Sequence, residues 1–317
     1  MNAAIREASR DDADLEAIVA LVNEVTPDDP SSIEEIRWAD ATYPGTARFL
    51  ATVDGRPVGV ATVGRIYMQP PEFDALWATI AVLPSARRLG LGASLLTAVS
   101  DRARVAAKGW LHVPASDARP EGIEFLARRG FTEYERAKLV RLELADLAAP
   151  PVDMPAGVRL TTLAVEPALV EGVHAVALEA FPDIPGGDQP DTVGDLAEFR
   201  ARDVDRAAIP PDAFFVALDA ATGRVIGYAS LMLLPGSRTV AWHDMTAVAR
   251  SWRGRGLASA LKRATIGWAL GNGLTALETG NDVANGPMRA INAKLGFQPL
   301  PDLVLMRGRP MGGIMEP

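Results

Sequence analysis

The chain of 317 residues contains no cysteine. That absence removes disulfide staples, a thiolate nucleophile and any zinc site built on sulfur. Histidine is scarce too. Only His112, His174 and His243 occur, the first two read as structural, and no His/Asp/Glu spacing suggests a metal. No apolar run approaches the ~18 residues a membrane span needs. The opening MNAAIREASRDDADLEA lacks the apolar stretch of a signal peptide. Basic residues are outnumbered, 32 against 40 acidic, so the net charge of −8 does not give the broad positive footprint of a nucleic-acid-binding protein. No GK[ST] follows a glycine turn, which excludes a P-loop kinase. The expectation is a cytoplasmic protein with neither membrane nor nucleic acid as partner and no metal.

What is present begins at 244–262, DMTAVARSWRGRGLASALK, which reads as a strand ending near Val248, a basic turn and then a helix. The turn has the spacing Arg253-x-x-Gly256-x-Ala258, with Gly254 and Arg255 inside it and Leu257 opening the helix. Glycine at a strand end lets backbone approach a ligand, and the helix points unpaired N–H groups and its positive dipole end at the same place. Such a corner suits a pyrophosphate; it is also ordinary packing grammar. A second corner, Arg87-x-x-Gly90-x-Gly92 with Arg88 inside it, again joins an apolar strand to an amphipathic helix. Arg253 follows Arg87 by 166 positions, and Phe297 of AKLGF follows Phe131 of ARRGF by the same 166. Gly59 of GRPVGVA and Gly227 of GRVIGYA lie 168 apart. Order and spacing both recur, so the chain reads as a duplicated domain.

Composition, 48% apolar and 23% charged, suits two soluble cores. The first half predicts a strand at 3–8, a helix at 11–24, a helix opened by Ser31-x-x-Glu34 and a hairpin around Asp54-Gly55. A strand at 76–83, a helix at about 90–107, and strand, helix and strand at 110–113, 120–129 and 131–143 complete it. The second half repeats that order: strand 158–163, helix 167–181, loop 182–190, a helix capped by Thr192-x-x-Asp195, a hairpin to 233 and a strand at 239–248. A helix carrying Leu257, Ala260, Leu261, Ala264 and Trp268 on one face follows, then strand 274–279, helix 286–295 and strands around 297–308. Each half is therefore α/β, a mixed, mostly antiparallel sheet flanked by helices. The expected domains are 1–146 and 158–317, joined by a proline- and alanine-rich linker at 147–157.

These residues resemble the GNAT superfamily of acyl-CoA-dependent N-acyltransferases. Its signature [QR]-x-x-G-x-[GA] follows a fourth strand and precedes a fifth strand, a helix and a terminal GF. Both halves carry it, and ETGNDVANGPMRAINAKLGF at 278–297 is especially similar. The resemblance implies tandem GNAT domains, each with a gap between its fourth and fifth strands for acetyl-CoA as co-substrate. By the same resemblance, strand backbone at Thr246, Ala247 and Val248 would hold the pantetheine, and the N–H groups of Ala247 and Val248 would donate to the thioester oxygen. Arg253, Gly254, Arg255, Gly256, Leu257 and Ala258 would hold the pyrophosphate. Ala81, Val82, Arg87, Arg88, Gly90 and Gly92 are the N-terminal counterparts. Asn281 or Asn285 would contact CoA, or else both are simple turn residues.

The family often places a tyrosine five positions before the final phenylalanine to protonate the departing thiolate; here those positions hold Leu126 and Asn292. Asn292 then either hydrogen-bonds the sulfur or packs locally. For a base, His243 and Asp244 lie mid-strand and Glu278 ends the next strand. A mid-strand aspartate in an apolar run is costly unless partnered, and that cost raises its pKa toward usefulness. Each is equally readable as a group bonded to nearby backbone. Asp183, Asp188 and Asp191 either rim a site for a cationic amine or are solvated turn formers. The first half, with LWATIAVLP as its fourth strand, offers no such candidates, so chemistry is expected in the C-terminal half. The expected activity is acetyl transfer to a primary amine of a small molecule, by a monomer or homodimer. The competing reading is a CoA-binding regulatory protein without turnover.

Overall fold

The computed structural model describes residues 2–186, 191–237 and 239–312, so Asp188 lies outside the described residues. It contains two compact units: Met1–Arg136 together with the stretch from Leu303, and Ala137–Asp302.

The first unit begins with β1 (Ala3–Glu7), α1 (Asp12–Val25), α2 (Ile33–Thr42), β2 (Ala47–Val53) and β3 (Arg56–Gly64). Asp11 caps α1, and Ser32, one position later than expected, caps α2 by accepting from the Glu35 N–H at 3.2 Å. Asp54 and Gly55 have φ of 48° and 80°, the left-handed pair that a two-residue hairpin turn demands. Then come β4 (Ala75–Val82), α3 (Leu91–Val105), β5 (Trp110–Ser116), α4 (Pro120–Ala127) and the long β6 (Thr132–Glu143). Leu95, Leu96 and Val99 of α3 pack on one sheet face against Ala61, Val63 and Ala78. Leu15, Ile18 and Leu21 of α1 cover the other, over Leu50 and Val60.

The second unit repeats the plan with β7 (Val158–Thr162), α5 (Val170–Ala180), the single turn α6 (Leu196–Phe199), β8 (Phe215–Asp219), β9 (Val225–Leu233) and β10 (Val240–Val248). It continues with α7 (Leu257–Gly271), β11 (Ala276–Asp282), α8 (Gly286–Lys294) and β12 (Gln298–Pro299), after which β13 (Leu303–Gly308) returns to the first unit. Asp195, not Thr192, caps α6, accepting from the Glu198 N–H at 2.9 Å. The chain then widens into a π-turn, Arg200–Val204. Leu257 and Leu261 of α7 pack over Ala217, Ala229 and Val248, while α5 lies against β9 and β10.

The expected boundary at 147–157 is not where the units divide. In the second unit, Ala137–Glu143 of β6 pairs antiparallel with all seven residues of β11, and Leu142 and Leu144 enter that unit's core. In the first, β13 pairs antiparallel with β5, and Val304 and Met306 are buried beside Leu111 and Phe131. Seven residues of backbone pairing outweigh the proline-rich composition that marks 147–157. Each unit therefore takes its last long strand from the other half of the sequence. Val304→Asp places an unpaired charge in the first unit's core. We expect it to cost about 3 kcal/mol or more, with limited proteolysis cutting within 1–136 before 158–302.

Candidate functional site

In the second unit β10 and β11 run parallel but pair only over Val240–Trp242 and Ala276–Glu278. Beyond that point they part, although β10 continues to Val248 and β11 to Asp282. One link crosses just past the apex, the Thr279 hydroxyl donating to the His243 carbonyl at 3.0 Å. There β10 also bulges. His243 opposes Leu231 and Thr246 opposes Ala229, so Asp244 and Met245 together face Ser230. Past the bulge, backbone parity decides which groups face the gap. The Ala249 N–H bonds β9 at Ile226, and the Ala247 carbonyl lies against Gly227. Antiparallel pairing alternates, so Ala247 turns its backbone to β9, while Thr246 and Val248 turn N–H and C=O into the gap. Of the two expected donors to the thioester oxygen, Val248 turns its N–H into the gap and Ala247 turns its N–H away from it; the neighbouring Thr246 N–H also faces the gap.

The corner that follows is open. Gly254 and Gly256 have φ of 75° and 84°, and a Cβ built on either would meet nothing within 4 Å. Gly256 caps α7 without any side-chain bond, leaving the N–H groups around Leu257 and Ala258 exposed at the helix end. The arginines divide the work. Arg253 donates Nε–H to the Val248 carbonyl at 3.0 Å and its Nη1 to Asp183 at 2.7 Å. Arg250 pairs with the same carboxylate, which these two guanidinium groups hold well below the usual carboxylate range. Arg253 thus clasps the turn, while the exposed Arg255 lies over the Trp252 ring at 4.7 Å.

Side chains around the apex separate onto two faces. On the face toward α5 and α6, Asp244 keeps some solvent access yet is ringed by protein atoms. Burial pushes its pKa up to about 6, the Asp203 charge adding to the shift while Arg206 and Arg202 oppose it. The Ser230 hydroxyl is 3.5 Å away, too long for a strong bond. Arg202, 5% exposed, forks onto Asp203 at 2.7–3.0 Å. Tyr228 is buried, stacked on Phe214, with an unpartnered hydroxyl. Sequence reasoning missed Arg202, Asp203, Tyr228 and Ser230. Only the charge alternation in RARDVDR hinted at the first two.

On the face toward α7, His243 is 1% exposed and its Nε2 has no partner. Burial and the nearby Lys262 charge hold its pKa well below the usual value, so its ring is neutral. Glu278 is engaged by Arg141 across the strand pair at 2.5 Å, and so is not a free carboxylate. Asn292, 2% exposed, donates to Asn281 Oδ1 at 2.8 Å and leaves its own Oδ1 unpartnered. Asn285 is occupied as the cap of α8, accepting from the Met288 N–H at 3.3 Å. The expected proton-relay residues are thus not one cluster.

The profile of the Acetyltransferase (GNAT) family matches residues 13–131 and again 174–297. The chain belongs to the GNAT family. The mycothiol acetyltransferase of Mycolicibacterium vanbaalenii is 32% identical over 187 residues, 58% of this chain and 56% of that protein, so the match spans about half of the relative's length. Among solved structures, a tandem GNAT protein from the clavulanic acid biosynthesis pathway covers 98% of the chain and all of its own, with a TM-score of 0.80 at 21% identity. A GCN5-related N-acetyltransferase from Sphaerobacter thermophilus gives a TM-score of 0.75 at 19% identity, over 98% of this chain and 97% of its own. These likenesses are of fold, and they are those of a tandem GNAT protein.

The two GNAT units differ at the apex. In the first, β4 and β5 pair only over Ala75–Trp77 and Trp110–His112, then part in the same way. Ala81 turns to β3, its carbonyl lying against Gly59, and the Val82 carbonyl accepts from Arg87 Nε at 3.2 Å. Gly90, φ 81°, is an uncapped helix start; Gly92 sits one residue inside α3, and Arg88 takes the left-handed position at φ 66° where the other unit has Gly254. Yet β4 keeps unbroken register with β3 from Gly59 to Gly64, so it has no bulge and no counterpart of Asp244. Among the described residues no group of three or more potential ligands could hold a metal ion, and no helix is long and apolar enough to cross a membrane. The close approach at Gly227 is testable. A Cβ there would lie 2.9 Å from the Ala247 carbonyl oxygen and 3.3 Å from Leu261. Gly227→Ala should cost about 1–3 kcal/mol in denaturant unfolding.

Proposed function

We propose that the chain moves the acetyl group of acetyl-CoA to a primary amine of a small molecule, in the second unit. The observation that carries this reading is the bulge, which sets Asp244 at the apex of a gap whose wall is unpaired β10 backbone. Acetyl-CoA suits the residues present: Thr246 and Val248 offer backbone along the gap, and the open corner at Gly254 and Gly256 offers helix-end N–H groups with Arg255 outside. When bound it supplies an activated acyl thioester. The name of the mycobacterial relative supports acetyl as the group moved.

The residues then divide the task. Backbone N–H groups of Thr246 and Val248 are oriented to stabilise negative charge growing on a carbonyl oxygen in the gap. Asp244 sets a carboxylate at the apex that attracts an ammonium, the Asp203 charge nearby being paired with Arg202. With its pKa near 6, it is ionised at neutral pH and able to take the proton that the amine must lose before attack. The competing reading, a CoA-binding protein without turnover, predicts tight uptake of CoA and no thiol release with any amine.

The test is thiol release from acetyl-CoA across a panel of amines. The rate should fall as pH drops through about 6, because the base form of Asp244 is lost there. Asp244→Asn should cut kcat about 10²-fold or more and remove that acidic limb. Stability should move oppositely. A carboxyl whose folded pKa lies above its unfolded value costs the fold stability as pH rises from the unfolded pKa through the folded one, so Asp244→Asn should raise Tm at pH 8 and much less at pH 4. Unchanged kcat and an unchanged acidic limb would remove Asp244 from the mechanism.

A further inference from the structure

The α7 side of the apex carries polar groups that the scheme above does not use. Lys262 is 1% exposed, and its ammonium makes no hydrogen bond or ion pair among the described residues; it lies over the Phe297 ring, 5.5 Å from the centroid. A lysine so placed is costly and needs a reason. Its position is defined by the packing of α7. Leu257 and Leu261, before it, cover the open end of the gap at Val248, while Ile266 and Ala269, after it, pack beside Ala241 and Leu277 where β10 and β11 still pair. Lys262 therefore sits level with the apex. From there its charge acts on His243, whose Nε2 has no partner. The buried Thr246 Oγ1 on β10 and Asn292 Oδ1 on α8 are also unpartnered. Helix α7, strand β10 and helix α8 thus each carry a bond-seeking atom, and Asn292 stands where the family often has its acidic tyrosine.

We propose that Lys262 gives its proton to the departing thiolate, with His243 as the positioning residue beside it. This rests on the acetyl-transfer reading above. As the carbon–sulfur bond breaks, its electron pair stays on sulfur. A Nζ–H bond breaks toward that sulfur, an S–H bond forms, and Lys262 is left as a neutral amine. The ammonium gives up two protons, one to Asp244 before attack and one as the amide forms, and both leave to solvent; Lys262 is recharged from solvent, so each cycle releases one net proton. Burial alone pushes the Lys262 pKa down to about 7, where donor and acceptor forms are both populated at neutral pH. No carboxylate opposes that shift, and the titratable group that feels its charge is His243 from β10, bonded to its own backbone and neutral.

The absence of cysteine makes the test clean, because the only thiol in a mixture of protein and CoA is the ligand's. The ionisation of bound CoA is read by ultraviolet thiolate absorbance, with desulfo-CoA as the blank. The wild-type protein should lower the apparent thiol pKa by about one unit, a tenfold gain in thiolate near neutrality; Lys262→Met should return it to that of free CoA. In turnover, Lys262→Met should lower kcat about 10²-fold, leave KM for acetyl-CoA nearly unchanged and abolish an alkaline limb centred near pH 7. Lys262→Gln carries the test if the Met variant does not fold. Identical thiol ionisation in wild type and variant, with the alkaline limb retained, would overturn the proposal. A wild-type protein that shifts the thiol yet acetylates no amine would sink the acetyl-transfer reading while leaving Lys262 at the sulfur.

Discussion

Three residues of pairing between β10 and β11 are followed by several without any, and protein interiors tolerate few backbone N–H and C=O groups that have no partner. The second unit is arranged around that deficit. Arg253 satisfies the last carbonyl of β10 from the side, Thr279 bridges the apex, and the uncapped end of α7 sits over the mouth. What stays unpaired between those points is a strip of strand edge. It is the same kind of surface that accepts an added β-strand, here available to an extended chain with amide groups. The first unit has the same strip along Val82.

The units share that frame and differ in what lines it. One extra residue in β10, absent from β4, turns Asp244 toward Tyr228 and Ser230 and away from His243. The apex is then flanked by two ionisable groups on opposite sheet faces, a carboxyl raised by burial and an amine lowered by it. Both shifts bring the groups toward neutral pH, where proton transfer is easiest, and both weaken the fold. Natural sites commonly accept such a trade. The first unit, with Leu126 in place of Asn292 and an apolar fourth strand, carries neither burden.

Local geometry was legible in the sequence and long-range pairing was not. The two corners could be read because glycine conformation is a property of a few adjacent residues, as at Gly256 and at the Asp54-Gly55 hairpin. The bulge could not, because a single inserted residue leaves the apolar pattern of 240–248 almost intact. Glu278 looked like a free base because its partner, Arg141, is 137 positions away. Arg202 and Asp203 sit on a π-turn that no periodicity announces, and they reach Asp244 only through the packing of α5 and α6. Lys262 falls off the apolar stripe of its helix and reads as a surface residue; the neighbouring Phe297 ring and His243 bury it. The boundary was misplaced for a related reason. Proline marks where a chain turns, and β6 had already entered the second unit's sheet before the prolines at 150 and 151.

The exchange of strands sets an order of events. Among the described residues, unit two holds all its strands once synthesis has passed Pro299, whereas unit one waits for Leu303–Gly308. Until then β5 presents an open edge, and the apolar residues that Val304 and Met306 will cover stay exposed. The half translated first is thus completed after the other, and the nascent chain must keep it from sticking to its neighbours until that strand has been made.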